Sequence, residues 1–363
     1  MTHEIVNGGG AGSAAEDPNG APREPLDLLI IGGGPSGLAT AIAAARAGLN
    51  YLVIEKGVLV NSIFNFPTNM IFFTTPELLE IGGLPLTTPF PKPTRMEALG
   101  YYRRVTDTFE LRVSFNEKVD KVEPGAGAFK VTSRSKDGHL RVRSSRYVVV
   151  ATGYYDNPNL LGIRGEDLPH VSHYYTESHG FYRKRVVVVG GHNSAAETAL
   201  DLFRCGAQVT LVHRGAKPGD AIKYWVRPDL ENRLKEGSIA ARFNACLREI
   251  LPAFVRVESD GACEEIPADA VFLMTGYHPD FEFLREAGIA VNQETCVPLH
   301  DPETLETNVP GLFLAGAVIA GRNTNLVFIE NGRFHGERVV STIRERLVQN
   351  KSRRDRRITG SKQ

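Results

Sequence analysis

Cysteine is scarce in this sequence. Four residues, Cys205, Cys246, Cys263 and Cys296, are spread over 363 positions. None stands at a Cys-x-x-Cys spacing, which excludes a local redox dithiol or a zinc knuckle. Four scattered cysteines in so long a chain do not make a disulfide framework, so a reducing, cytoplasmic compartment is expected. Net charge is missing too: 42 Lys+Arg offset 42 Asp+Glu. A nucleic-acid binder would carry a basic excess, so nucleic acid is not an expected partner. No apolar run reaches the roughly 18 residues that span a bilayer, and no membrane partner is expected. The first 25 residues lack the apolar stretch of a signal peptide. Residues 1–24 read as a disordered tail. Residues 351–363, with Lys351, Arg353, Arg354, Arg356, Arg357 and Lys362, read as a basic, solvated, disordered end.

What remains is an ordinary globular chain, 42% hydrophobic and 23% charged, with length for about two domains. Its grammar is α/β. The run Leu26-Asp27-Leu28-Leu29-Ile30-Ile31 suits a buried parallel strand. A glycine loop follows, then an Ala-rich helix over residues 38–47 closed by Gly48, then a second strand, Tyr51-Leu52-Val53-Ile54. The same order returns further on. Residues 186–189 read as a strand, Gly190-Gly191 as a turn, 194–205 as a helix ended by Gly206, and 208–212 as the next strand. Two βαβ units of one kind form an internal repeat at domain scale.

The first loop, Gly32-Gly33-Gly34-Pro35-Ser36-Gly37, fits G-x-G-x-x-G between a strand and a helix. Gly32 permits the turn, Gly34 admits a pyrophosphate close to the backbone, and Gly37 lets helix and strand pack. The helix N-terminus, with Pro35 and Ser36 in its first turn, offers free N–H groups to phosphate. Glu55, followed by Lys56, ends the second strand, where a carboxylate takes the ribose hydroxyls of an adenosine. FAD and NAD fit this unit equally well. A second dinucleotide loop downstream decides for FAD here.

That second loop is Gly190-Gly191-His192-Asn193-Ser194-Ala195. His192 replaces the usual middle glycine and Ala195 the third. The imidazole must turn away from the phosphates or lie beside them as a donor. The strand after it ends in His213-Arg214, and a cation at the ribose edge favours NADPH over NADH. Lys217 and Lys223 are candidates for a second charge, or solvated loop cations.

An N-terminal FAD loop, the strand end Ala151-Thr152-Gly153, and a later NADPH loop ending in His-Arg together resemble the thioredoxin-reductase type of flavoprotein. Longer strings sharpen the likeness: Asn61-Ser62-Ile63-Phe64-Asn65-Phe66-Pro67-Thr68, Ala151-Thr152-Gly153-Tyr154-Tyr155-Asp156, Thr275-Gly276-Tyr277-His278-Pro279-Asp280 and Ile329-Glu330-Asn331-Gly332-Arg333-Phe334-His335-Gly336. These are similar to the bacillithiol-disulfide reductase family. The resemblance spans about residues 26–345. It implies two Rossmann-like dinucleotide-binding domains, with an NADPH domain (158–279) inserted into a discontinuous FAD domain (25–157 and 280–350). It implies FAD contacts at Ser62, Thr68, Thr152, Gly153, Gly316, Ala317 and Asn325, and an NADPH contact at Gly276. It also implies a helix starting at Thr324-Asn325 whose N-terminus faces the flavin, and a homo-oligomer such as a dimer.

Two departures stand out. The best-known members of that family carry a cysteine inside the first loop, where this chain has Ser36, and a hydroxyl forms neither a thiolate nor a mixed disulfide. The wider group has Gly-Asp at the ribityl position, where this chain has Gly316-Ala317. The catalytic residues are therefore unassigned beyond the flavin itself, and none of the four cysteines is given a role. The expected function is an NADPH-dependent FAD oxidoreductase acting on a disulfide such as bacillithiol disulfide or a related small acceptor. A ferredoxin- or flavodoxin-type NADPH reductase, a flavin monooxygenase-like enzyme and a non-catalytic redox sensor are the alternatives.

Overall fold

The computed structural model of the protein describes residues 24–360. Strand β1 (Leu26–Ile31) runs into helix α1 (Pro35–Arg46), which returns to β2 (Tyr51–Ile54). β1 and β2 pair in parallel, Leu28 opposite Tyr51 and Ile31 opposite Ile54. Side chains alternate along β1. Leu28 and Ile30 face the core that holds α1, and Leu29 and Ile31 face the opposite one. Two short helices, α2 (Asn61–Phe64) and α3 (Pro76–Leu79), precede α4 (Arg95–Thr108). A capping box opens α4: Glu97 N–H donates to Thr94 Oγ1 at 3.2 Å, and Thr94 N–H donates to Glu97 Oε2 at 2.7 Å.

Strands β3 (Val113–Ser114), β4 (Glu117–Glu123), β5 (Phe129–Ser135) and β6 (Leu140–Val150) complete the N-terminal part of the sheet. β6 serves two neighbourhoods. Its first half pairs antiparallel with β5, and its buried second half pairs in parallel with β1. The chain then leaves through β7 (Val171–Ser172), β8 (Arg185–Val189), α5 (Asn193–Arg204), β9 (Gln208–Val212), α6 (Arg227–Lys235) and β10 (Ala240–Arg242). A meander of β11 (Ala245–Ile250), β12 (Phe254–Ser259) and β13 (Ala262–Pro267) follows, then β14 (Ala270–Leu273). Helix α7 (Phe281–Glu286) leads back to β15 (Leu312–Leu314), which pairs with the end of β6. Helices α8 (Ile329–Gly332) and α9 (His335–Gly360) close the chain.

Two sheet bodies result. The first has the order β3-β2-β1-β6-β5-β4, with β15 on β6. The second has the order β10-β9-β8-β14-β7 and carries the three-stranded meander. The segments that cross between them run side by side. Asn159 N–H donates to Gly276 O at 2.9 Å, His278 N–H to Asn157 O at 2.9 Å, and Thr275 Oγ1 to Asn159 O at 2.7 Å.

Two expectations meet a different outcome. The disordered tail expected over residues 1–24 lies, but for its last residue, outside the described residues, as do residues 361–363. Helix α9 continues past Asn350 to Gly360, because Lys and Arg are good helix formers and the segment simply extends a helix already nucleated. No helix starts at Thr324-Asn325. Thr324 and Asn325 form a turn, residues 326–328 are irregular, and α8 starts at Ile329. Asn331 explains the delay: its Oδ1 accepts Phe328 N–H at 2.8 Å, and its Nδ2 donates to Leu326 O at 2.9 Å. That side chain holds the preceding residues in a turn. The flavin-facing helix end expected there is absent.

Candidate active site

The two βαβ units present the same anatomy at their glycine loops. Gly32 lies at φ +109° and Gly190 at φ +146°, conformations that favour glycine. A Cβ on Gly32 would come within 2.5 Å of Ala151 O, and one on Gly190 within 2.5 Å of Met274 O. Each loop thus tucks against the strand end that follows in its own sheet. Gly32 N–H donates to Ile54 O at 2.8 Å, and Gly190 N–H to Val212 O at 3.0 Å. A Cβ on Gly37 would overlap Gly32 O, and Ala195 fills the corresponding position below Gly190.

Both helices then begin bare. α1 has Gly34 as N-cap, Pro35 in its first turn, no capping side chain and no acidic residue there. α5 has His192 as N-cap and is likewise uncapped and free of acid in its first turn. A Cβ at Gly34 would meet nothing within 4 Å, so the front of the first loop is open. Unsatisfied N–H groups and the positive end of the helix dipole at an open loop are what a pyrophosphate needs. The residues present therefore fit two dinucleotides.

Glu55 is buried at the end of β2. Its Oε2 accepts Gly33 N–H at 2.6 Å and its Oε1 accepts Gly57 N–H at 2.8 Å. Burial pushes its pKa up, and the two backbone donors oppose that. Each oxygen keeps a lone pair for a ribose hydroxyl. Lys56 pairs with Asp156 at 2.8 Å, which ties β2 to the strand-end segment carrying Thr152 and Gly153. Both of these are half-buried.

Ser36 points inward across the body. Its Oγ lies 2.5 Å from where a Cβ on Gly316 would sit and 3.0 Å from that of Gly332. Gly316 in turn donates its N–H to Nδ1 of His335 at 3.0 Å. His335 is buried, and burial lowers its pKa to about 4, so the ring is neutral and its Nδ1 accepts. Ala317 lies in the short 3₁₀ turn Gly316–Ala320. Ser62 is in α2, whereas Thr68 is exposed and donates its N–H across to Thr176 O at 2.8 Å. Asn325 is exposed and lines the interbody cleft.

That cleft, of about 1780 Å³, is lined by the second loop from Gly190 to Ser194, by His213, Arg214, Lys223 and Gly276, and by Phe66 and Tyr154 of the first body. The His213 ring lies against Gly191, in the space a Cβ would take. Burial, and then the charges of His192 and Arg214, pull its pKa down. The His192 ring rests beside Gly219, which places it to the side of the loop. Arg214 is exposed to the cleft. Lys217 pairs with Asp220 at 2.9 Å, and Lys223 Nζ lies 5.5 Å from the Phe73 ring. Asn193 lines the cleft and is also bound within its own body. Its amide accepts Lys223 N–H at 2.9 Å and donates to Ala221 O at 3.1 Å.

The four cysteines are free. Cys246 and Cys263 both stand opposite Glu258, on either side of β12. Two strand spacings are roughly 9–10 Å, beyond the reach of a disulfide. Among the described residues there is no cluster suited to a metal ion, and no helix is long and apolar enough to cross a membrane. Sequence reasoning did not single out His335 as a support for Gly316, nor Glu117. Glu117 is fully buried on β4 and holds Arg141, Arg143, Ser114 and Ser133. A lone Glu in the run Phe115-Asn116-Glu117-Lys118 carries no pattern that marks it as buried.

The family model described as pyridine nucleotide-disulphide oxidoreductase matches residues 29–316. The chain is 44% identical over 319 residues to bacilliredoxin reductase Bdr of Bacillus subtilis (strain 168), with 88% of this chain and 97% of that one covered. It is similar to the solved structure of bacillithiol disulfide reductase Bdr from Bacillus cereus, with 44% identity, a TM-score of 0.88, and coverage of 89% of this chain and 100% of that one. The Staphylococcus aureus counterpart is 39% identical, with a TM-score of 0.84 and coverage of 88% and 98%. Thioredoxin reductase of T. acidophilum, at 20% identity and a TM-score of 0.72 over 89% of this chain and 99% of that one, shares the fold.

Proposed function

The chain belongs to the pyridine nucleotide-disulphide oxidoreductases, and from that premise we propose that it passes reducing equivalents from NADPH through FAD to a low-molecular-weight disulfide such as bacillithiol disulfide. The observation that carries this reading is the pair of bare helix ends, α1 behind a loop open at Gly34 and α5 behind a loop that lines the cleft, each followed by a strand ending in a charge of its own sign, Glu55 and Arg214. When bound, FAD supplies the redox chemistry, accepting hydride from NADPH and delivering electrons to the acceptor. The protein's part is to hold both dinucleotides. Gly32, Gly34 and Gly37 with α1 receive the FAD pyrophosphate, and Glu55 its adenosine ribose. Gly190 and Gly191 with α5 receive NADPH, and Arg214 meets the 2′-phosphate with a planar fork. Neutral His335 keeps Gly316 in place beneath Ser36, where this chain lacks the acidic residue of the wider group.

On this reading residues 25–157 and 280–350 form the FAD domain, and 158–279 the NADPH domain. The acceptor meets no thiol in the first loop, since Ser36 stands there. The test is anaerobic: purified protein is reconstituted with FAD, mixed with NADPH or NADH, and then given bacillithiol disulfide and other disulfides. Rapid bleaching by NADPH and re-oxidation by a disulfide support the reading. A protein that takes up no FAD overturns it.

A further inference from the structure

A side-chain contact also joins the two sheet bodies across the cleft. Lys92 stands between Pro91 and Pro93, which stiffen its backbone. The segment is tied to its own body by Phe72 N–H, which donates to Pro93 O at 2.9 Å, and by the bridge of Ile71 with Thr94. Its Nζ lies 3.3 Å from the ring centroid of Trp225, in the other body. Phe73 meets the same indole edge-on, with centroids 5.9 Å apart. Trp225 is 39% exposed, yet it is firmly rooted: Ile222 and Val226 on either side are buried in the core of the second body. The start of that segment is bound to the second glycine loop by both hydrogen bonds of Asn193. A continuous path therefore runs from the nucleotide loop through Asn193 and residues 221–225 to Lys92 and Phe73 of the first body.

We propose that Trp225, gripped by Lys92 and Phe73, is a positioning residue for hydride transfer that fixes the distance between the two bodies at the cleft and is coupled to the nucleotide loop through Asn193. The proposal rests on the NADPH-to-FAD reading above. A cation over an indole face is the strongest form of this contact. Hydride transfer is steep in distance, so a loosened grip slows the chemical step more than it weakens binding.

The chain has one tryptophan, so its tryptophan emission reports this residue alone. Titration with redox-inert NADP⁺ should change that emission in the parent, and Asn193→Ala should abolish the change. Lys92→Met should lower the limiting rate of flavin reduction at saturating NADPH by about tenfold, with the NADP⁺ Kd moved by less than about twofold. Trp225→Phe should recover much of the rate lost in Trp225→Ala. If Trp225→Ala fails to retain FAD, the surface substitution Lys92→Met decides alone. An unchanged limiting rate in Lys92→Met, or an emission unmoved by NADP⁺, overturns the proposal. If the parent flavin is not reduced by NADPH, the functional reading fails instead, and the emission response to NADP⁺ with its loss in Asn193→Ala still judges the grip.

Discussion

The backbone N–H of Gly33 donates to Oε2 of Glu55 at 2.6 Å, so the first glycine loop and the end of β2 are one unit. The carboxylate also takes Gly57 N–H, which lets it shape the loop before any ribose arrives. Glu55→Ala should therefore weaken FAD by about 10- to 100-fold, the cost of losing charge-assisted hydrogen bonds. Titration of apoprotein with FAD, followed by flavin fluorescence, measures it. Unaltered FAD affinity in the mutant would remove Glu55 from the adenosine site.

Arg214 follows the strand after the second glycine loop and is exposed to the cleft. Lys217 pairs with Asp220 on the surface, and Lys223 lines the cleft beside Phe73. Arg214→Ala should raise the KM for NADPH by about 10-fold or more and leave NADH nearly unchanged, since one phosphate contact contributes on the order of 1–3 kcal/mol. Steady-state kinetics with both nucleotides decides. An equal change in both would place Arg214 at the pyrophosphate or in the scaffold.

The sequence disclosed most of this site because glycine loops announce themselves. Gly32, Gly37 and Gly190 occupy positions where a Cβ collides with backbone, and such positions leave a fixed spacing between a strand and a helix. The family likeness read from longer strings is met by the comparisons. What stayed hidden depends on contacts between residues distant in sequence. Asn193, read as an NADPH contact, also ties down residues 221–223, which no spacing announces. Thr324-Asn325 looked like a helix start, but the Asn331 side chain delays it to Ile329. Trp225 and Lys92 lie 133 positions apart and share no motif.

Glu117 sets a pH limit on the first body. Arg143, Ser114 and Ser133 hold its carboxylate at about 2 against the opposing effect of burial. The folded state thus binds the proton less readily than the unfolded state. The stabilisation, on the order of 3 kcal/mol, is fully present above the unfolded value near 4.5 and is lost as pH falls from there toward 2. Backbone bonds from Glu117 N–H to Glu55 O and from Glu55 N–H to Ser114 O pass the effect to the FAD loop. Urea denaturation at neutral pH and near pH 3 should show a steep acid loss in the parent and a flatter one in Glu117→Gln, which is destabilised at both. Parallel pH curves for the two proteins would show that Glu117 does not set this limit.

Ser36 is where chemistry and geometry can be separated. Its side chain sits in the first turn of α1, with the Cα atoms of Gly316 and Gly332 bare on the two sides it faces. A thiol differs from the hydroxyl by one atom, and no Cβ on Gly316 or Gly332 stands against it. Ser36→Cys should therefore fold, keep FAD and be reduced by NADPH at the parent rate. The bare helix end carries no acidic residue in its first turn, so the dipole should lower the new thiol's pKa and raise its thiolate fraction. Alkylation by iodoacetamide as a function of pH reads that directly. We expect the mutant to turn over bacillithiol disulfide faster than the parent, because a loop thiolate can attack the disulfide sulfur directly and a hydroxyl cannot. Robust turnover by the parent would show that electrons reach the disulfide without a first-loop thiol. A mutant with a reactive thiol, intact flavin reduction and no gain would locate the missing element outside the loop, among the side chains that receive the acceptor.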